Sequence, residues 1–268
     1  MGRFLAYVGL LALVAAAAAW YAHREHGLRL PFVSASPNEE ASREPEWLAD
    51  LRSPDPRESE AAVARIRRLG ERALPTLQTA LHAPDRDTRK TALRAVVILE
   101  QTAAPLVPDA AGQLSDAELM EEAAMALSFM GRGAFAPLRQ AAVSADPALR
   151  REAVRSIGKL AARAPIEPAE ITPLLVEAMG DPSHAVRAVA ATYLGILHEN
   201  PETAVPALIA GLEDPGIEVR RASAAALGSF GEEAESAVPA LRRAAGDRDP
   251  DLAREAGVAL IKIQPSAR

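Results

Sequence analysis

The feature that most constrains the fold is a segment that recurs along most of the chain. Its clearest copy runs from residue 204 to residue 231, and a proline marks each copy. These prolines are Pro75, Pro105, Pro137, Pro173, Pro206 and Pro239, with spacings of 30, 32, 36, 33 and 33 residues. A proline fits the first turn of a helix, because its missing N–H would have no partner within the helix. We therefore predict that each of these prolines begins a short helix.

A second motif follows the first helix in most copies. It is the dipeptide Asp-Pro, found at Asp146-Pro147, Asp181-Pro182, Asp214-Pro215 and Asp249-Pro250. The proline prevents the first helix from continuing, and aspartate is a preferred cap for the helix that comes next. Each copy is thus predicted to form two antiparallel helices joined by a tight turn.

The second helix of each copy has its own pattern. An arginine recurs at Arg89, Arg150, Arg187 and Arg220, and seven residues later stand Val96, Ile157, Leu194 and Leu227. Ser59, Met120 and Ala253 occupy the arginine position in the other units, which gives seven units, the first of them irregular. A hairpin with apolar residues on both sides cannot bury them alone, so neighbouring units must stack. The fold predicted for residues 46–268 is an all-α solenoid of about seven hairpins.

These motifs resemble the HEAT repeat family, in particular the short bacterial HEAT-like repeats of the phycobilisome-lyase type. The resemblance covers residues 46–263 and is strongest in the Pro, Asp-Pro, Val-Arg and Ala-Leu-Gly elements of residues 204–231. It implies a right-handed α-solenoid whose second helices line the concave face. It also implies that the recurring arginines bind aspartates of the turns, so we interpret those arginines as structural.

The N-terminal region has a different character. From Phe4 to Ala22 nineteen residues carry no charge, which is about 28 Å as a helix and close to the roughly 30 Å hydrocarbon thickness of a bilayer. We interpret residues 1–30 as a signal-anchor with one apolar helix that spans the membrane through residues 4–22. Residues 31–45 are rich in proline, serine and glutamate and are predicted to be a flexible linker.

Two questions about this region stay open in the sequence. Ala17 and Ala19 form an A-x-A-like site, so cleavage of a signal peptide and secretion is the alternative to an uncleaved anchor. Arg3 on one side and Arg24 and Arg29 on the other leave the orientation poorly determined. A short N-terminus before one apolar run favours export, so we expect the solenoid on the extracytoplasmic side.

Several classes of function lack support in the sequence. The net charge is −6, and the sequence gives no basic stripe with interleaved aromatics, so nucleic acid is not an expected partner. There is no cysteine, and no hydrolase, phosphate-loop, zinc or calcium motif occurs. His198-Glu199 is a lone pair and cannot assemble a di-iron site. We predict a non-enzymatic protein-binding scaffold or adaptor without cofactor; the alternative is an accessory or chaperone-like subunit of an enzyme complex.

Candidate binding residues come from the exposed side of the second helices. The positions one and five residues after the arginine position should face solvent, and many of them are basic. This basic stripe consists of Lys90, Arg94, Arg151, Arg155, Arg221 and Arg254. Glu121 and Glu122 interrupt it in the third unit. It is interpreted either as an ordinary solvated helix face or as a groove for an acidic segment of a protein partner.

The last helix offers a second candidate. Its five aliphatic residues cannot all face inward with a period of 3.6, and Val258 and Ile261 fall on the exposed side. Terminal repeats normally present a polar outer face. We therefore predict weak self-association or a partner contact at these two residues, with coverage by the tail 264–268 as the alternative.

Overall fold

The computed structural model describes residues 44–264, and this part of the chain contains α-helices, short 3-10 turns and no strand. The predicted anchor, nearly all of the linker and the last four residues lie outside the described residues. In chain order the helices are α1 Glu44–Asp50, α2 Pro56–Leu69, α3 Leu74–Leu81, α4 Arg86–Leu99, α5 Val107–Gly112, α6 Met120–Leu127, α7 Phe135–Ala141, α8 Pro147–Ala161, α9 Pro168–Ala178, α10 His184–Leu197, α11 Pro201–Gly211, α12 Ile217–Phe230, α13 Val238–Ala244 and α14 Pro250–Ile263. Between residues 44 and 264 no helix is long and apolar enough to cross a membrane.

The helices form seven units, each with a first and a second helix. The odd-numbered helices are the first helices and the even-numbered ones the second helices. From α3 onward each first helix packs on its own second helix, and all seven second helices pack on one another in sequence from α2 to α14. One hydrophobic cluster runs through the whole stack, from Trp47 to Ile263. The apolar residues that follow the arginine position by seven are buried in it in six units, and Leu260 of the last unit is half-buried. The predicted all-α solenoid is confirmed.

The recurring proline begins its helix in only some of the units. Pro75, Pro137 and Pro239 lie in the first turns of α3, α7 and α13, as predicted. Pro173 and Pro206 lie inside α9 and α11, because another proline opens each of these helices about one turn earlier. Pro105 lies in the 3-10 turn that precedes α5. The predicted helix starts were therefore wrong in three units.

The Asp-Pro turns are of two kinds. Asp146 and Asp249 cap α8 and α14, and each carboxylate accepts a backbone N–H of the first turn at 2.9 and 2.8 Å. Asp181 and Asp214 lie two residues before the caps of α10 and α12, so the prediction that they cap these helices is wrong. Each of them instead accepts the backbone N–H of the cap residue at 2.7 Å. Their other contacts reach back to the preceding unit.

Glycines set how closely the second helices approach. A Cβ added to Gly195 would lie 2.6 Å from Cα of Ala226 in the next second helix, and one added to Gly228 would lie 3.0 Å from Cα of Ala259. Both distances are shorter than ordinary carbon contacts. The position is eight residues after the recurring arginine, and in α14 it is occupied by Ile261. Glycine at this position lets α10, α12 and α14 pack backbone against backbone.

Candidate functional site

The recurring arginines connect consecutive units. Nε and Nη2 of Arg150 donate to the carboxylate of Asp181 at 2.7 and 2.8 Å. Arg187 donates to Asp214 in the same way, also at 2.7 and 2.8 Å. Hydrogen bonds from these guanidinium groups lower the pKa of both aspartates. The third nitrogen of each guanidinium caps carbonyls of its own turn. The predicted structural role of these two arginines is confirmed.

These arginine–aspartate contacts between consecutive units, here called the arginine ladder, are different at the two ends of the stack. Arg89 reaches Asp116 through one nitrogen at 3.0 Å. Arg220 donates only to backbone carbonyls of its own turn, and its buried Nε has no partner among the described residues. The adjacent Arg221 binds Asp249 of the last unit at 2.9 and 2.6 Å, which lowers the pKa of Asp249 to about 2. The prediction that Arg220 binds a turn aspartate of the next unit is therefore wrong, because Arg221 makes that contact.

The structure places all six residues of the basic stripe on exposed or half-buried positions of the second helices. Five of the six have carboxylate partners: Arg151 and Arg155 share Glu152, and the other three bind carboxylates of their own or the next helix. The pairs are Lys90 with Glu122 at 2.5 Å, Arg221 with Asp249 at 2.6 Å and Asp251 at 3.4 Å, and Arg254 with Asp251 at 3.2 Å and Glu255 at 3.0 Å. Arg94 is exposed and has no ion pair among the described residues. Toward the C-terminus the charge of the stripe is thus largely compensated within the protein.

In the middle of the stripe two arginines share one carboxylate. Glu152 is only 5% exposed. Its Oε1 accepts from Nε of Arg151 at 3.0 Å, and its Oε2 accepts from Nη1 of Arg155 at 3.1 Å. A buried carboxylate needs such partners, since it has lost its water. The shared contact holds the two guanidinium groups side by side and leaves one positive charge in excess.

The expectation that no aromatic residues interleave the basic stripe is wrong at its centre, where sequence reasoning missed a group of side chains beside these arginines. The guanidinium of Arg163 lies 4.4 Å from the centre of the Phe129 ring, a cation–π distance. Tyr193 is half-buried beside Arg155 and Arg163, and burial raises the pKa of its hydroxyl. We name the central patch as the set Met125, Phe129, Arg155, Arg163, Tyr193 and Ile196. Met125 is 39% exposed and Ile196 53% exposed.

A signal for the central patch was present in the sequence. Met125 lies five residues after the arginine position of its unit, and Phe129 and Ile196 lie nine residues after it. Residues four apart share one face of a helix, so the solvent-facing stripe extends one turn further than the positions considered above. The aromatic and basic residues are separated by about 30 positions in sequence, and only the stacking of α6, α8 and α10 brings them together.

A cleft opens between the first helices of the fourth and fifth units. It has a volume of about 840 Å³ and is lined by α7, α8 and α9, with the Arg150–Asp181 pair on its wall. Val143, which is 74% exposed, and Leu174 supply apolar surface. The proline spacing is longest at this junction, 36 residues. Pro173 lies inside α9, which Pro168 opens, and this position of the proline accounts for the long spacing.

The described residues offer no metal centre. No group of three or more His, Asp or Glu side chains between residues 44 and 264 is arranged to hold a metal ion. His198 and Glu199 are exposed at the end of α10. The pair is therefore on the surface, and Nδ1 of His198 lies 3.2 Å from the carbonyl oxygen of Ile196.

The outer side of the last helix is apolar, as the helical period predicted. Val258 is 41% exposed and Ile261 is 53% exposed. The tail that was considered as a cover lies almost wholly outside the described residues. Self-association through these two residues stays a prediction.

The C-terminal units match a known family. Residues 135–204 and 171–262 match the family model of HEAT repeats. Residues 135–262 are HEAT repeats. They comprise the hairpins from α7 to α14, which include the two bidentate arginine–aspartate contacts of the ladder. The resemblance to HEAT repeats noted in the sequence is confirmed over these residues. A search of curated proteins finds no match to the chain.

A search of solved structures finds proteins similar to this chain. The crystal structure of Kap121p is 15% identical with a TM-score of 0.61, and the match covers 86% of this chain and 30% of Kap121p. A mutant of Kap121p gives 16% identity and a TM-score of 0.63, with 85% and 29% covered. A designed armadillo repeat protein in complex with the peptide (KR)4 is 20% identical with a TM-score of 0.44, and 82% and 98% are covered. At these identities the Kap121p matches show a shared fold alone.

Proposed function

We propose that this protein is a non-enzymatic scaffold that binds a protein partner along its second helices. One observation carries the proposal. Of the large apolar side chains that are exposed among residues 44–264, all but Val143 lie on second helices, namely Met125, Ile196, Val258 and Ile261. Exposed apolar side chains gathered on one row of helices are typical of protein-binding surfaces. A stack of HEAT repeats presents such a row as one extended surface.

Site-specific photo-crosslinking in cells tests the proposal. A photoreactive amino acid at exposed Thr192, on second helix α10, should give crosslinks to a protein partner, whereas one at exposed Gln140, on first helix α7, should not. The double variant Met125→Glu and Ile196→Glu should abolish the Thr192 crosslinks. Val143→Glu makes the same kind of substitution, with one negative charge, on the side of the first helices and should leave the crosslinks unchanged. Crosslinks that survive the double variant, or that form equally well from Gln140, would show that the partner does not bind the second helices.

The proposal includes a membrane tether, which rests on the sequence alone. We propose that residues 4–22 span the membrane and hold the repeats on its extracytoplasmic side. The full chain should stay in the membrane fraction after an alkaline carbonate wash, because burial of apolar surface holds a spanning helix. A chain that begins at Pro45 should appear in the soluble fraction. A mature N-terminus at Trp20 would instead show cleavage and secretion, and protease access to a tag at Arg268 reports the orientation.

A further inference from the structure

The cations of the second-helix surface are compensated unevenly. At the C-terminal end Arg221 and Arg254 face three carboxylates. In the fourth unit Arg151 and Arg155 have only Glu152 between them. Arg163 contacts the Phe129 ring and has no carboxylate partner among the described residues. Lys159 has no carboxylate partner among them either. An excess of positive charge is therefore concentrated on α8 and the turn that follows it, although the whole chain has a net charge of −6.

Glu152 holds two of these cations in an orientation that leaves them able to bind an additional ligand. The side chains of Arg151 and Arg155 are 41% and 35% exposed, while that of Glu152 is 7% exposed. Each guanidinium has five N–H donors and uses only one or two of them on Glu152. Their orientation is fixed before a ligand arrives, which reduces the entropy lost on binding. The free donors fit carboxylate groups.

Exposed apolar side chains flank these arginines. Met125 lies on α6 and Ile196 on α10, one unit before and one unit after α8. Packed helices are about 8–10 Å apart, so the two side chains are separated by roughly 20 Å across the stack. An extended peptide advances about 3.3 Å per residue and covers this span in about six residues.

From these placements we infer that the central patch binds an acidic peptide segment with two large apolar side chains about six residues apart and carboxylates between them. The apolar residues enter beside Met125 and Ile196, and the carboxylates bind Arg155 and Arg163. A nucleic acid would complement the charge but would leave both apolar contacts unused, so a peptide fits better. This inference rests on the proposed function and names the chemistry of its partner.

Fluorescence anisotropy with the full chain in detergent tests the inference. The probe is a labelled peptide with two leucines six positions apart and three glutamates between them. It should bind, whereas peptides with lysines for the glutamates or serines for the leucines should bind about tenfold more weakly or not at all. The protein variant Arg155→Glu with Arg163→Glu should weaken binding of the glutamate peptide about tenfold or more. Its matched control is Arg139→Glu with Arg242→Glu, the same charge change on exposed residues of first helices, which should have little effect.

Glu152→Gln separates positioning from net charge. This variant makes the patch more positive, so charge alone predicts tighter binding of the glutamate peptide. Loss of the fixed arginine geometry predicts weaker binding, by about threefold or more, at an unchanged helical circular-dichroism signal. Tighter binding in Glu152→Gln would overturn the positioning role of Glu152.

The remaining outcomes either overturn the inference or separate its failure from that of the proposed function. Equal binding of the lysine and glutamate peptides, or equal losses in the two arginine pairs, would overturn the inference. A single-stranded oligonucleotide that binds in place of the peptide, with dependence on Arg155 and Arg163, would overturn it in favour of nucleic acid. If the Thr192 crosslinks to a protein persist while the glutamate peptide fails to bind, the inference fails and the proposed function stands.

Discussion

Replacing Gly195 by alanine should separate two helices that touch through their backbones. The new Cβ would lie 2.6 Å from both Cα and Cβ of Ala226. Non-bonded carbon atoms are at their optimum about 3.5–4.0 Å apart, so α10 and α12 must move by roughly 1 Å. The obstacle is a Cα atom, which no side-chain rotation can remove.

The size of the effect follows from two opposing contributions. Overpacking of a well-packed site costs about 1–3 kcal/mol. Alanine is favoured over glycine inside a helix by about 0.5–1 kcal/mol, which offsets part of that cost. Gly257 in α14 is the matched control, because a Cβ there would meet no atom within 4 Å. We expect Gly195→Ala to be less stable than Gly257→Ala by about 1–3 kcal/mol.

Urea denaturation of the full chain in detergent, followed by far-ultraviolet circular dichroism, measures this difference. Gly257→Ala should unfold at a slightly higher urea concentration than the wild type, and Gly195→Ala at a lower one. Gly228→Ala should fall between them, since its Cβ would lie 3.0 Å from Cα of Ala259. If Gly195→Ala is as stable as Gly257→Ala, the added methyl group does not force α10 and α12 apart.

Three further predictions concern the ladder and the last unit. Arg187→Ala should lower the free energy of unfolding by about 1–3 kcal/mol because it leaves a half-buried carboxylate unpaired, and Arg220→Ala should cost less since no carboxylate depends on it; equal urea shifts would contradict this. The folded pKa of Asp249 is about 2, below its unfolded value. The contribution of its ionised carboxylate to the free energy of unfolding is therefore complete above about pH 4 and is lost as pH falls toward 2. The stability difference between wild type and Asp249→Asn should shrink from pH 5 to pH 2. Val258→Lys with Ile261→Lys should abolish self-association in sedimentation velocity without loss of helical signal, and unchanged association would place the contact elsewhere.

The hairpins were predictable because their signals are local. The spacing of the recurring arginine and of the apolar residue seven positions later identifies seven second helices, and the structure buries Val96, Ile157, Leu194 and Leu227. The side of each second helix that faces solvent follows from the same period. The choice between capping and ladder contacts was not predictable, because one dipeptide serves both. Asp146 caps its own helix, and Asp181, also followed by proline, binds an arginine of the preceding unit.

The central patch and the cleft could not be located from the sequence in the same way. Phe129 and Arg163 are 34 positions apart, and their contact depends on how far α8 is displaced relative to α6. The cleft between α7 and α9 depends on how the first helices of two neighbouring units pack, which the repeat pattern does not specify. The period of the repeat identifies the units, whereas local differences between neighbouring units determine where the candidate sites lie.

The glycines on the second helices also govern how an array of this kind can grow. Gly158, Gly195 and Gly228 each stand where the next second helix packs, and an added Cβ on any of them would overlap that helix. A duplicated unit that carries this glycine can be inserted among the middle units, because both of its junctions already have the required shape. Behind α14 the same position is Ile261, whose branched side chain would hold a newly added helix away. Duplication can therefore lengthen the array from within, whereas extension beyond α14 with the same packing first requires replacement of Ile261.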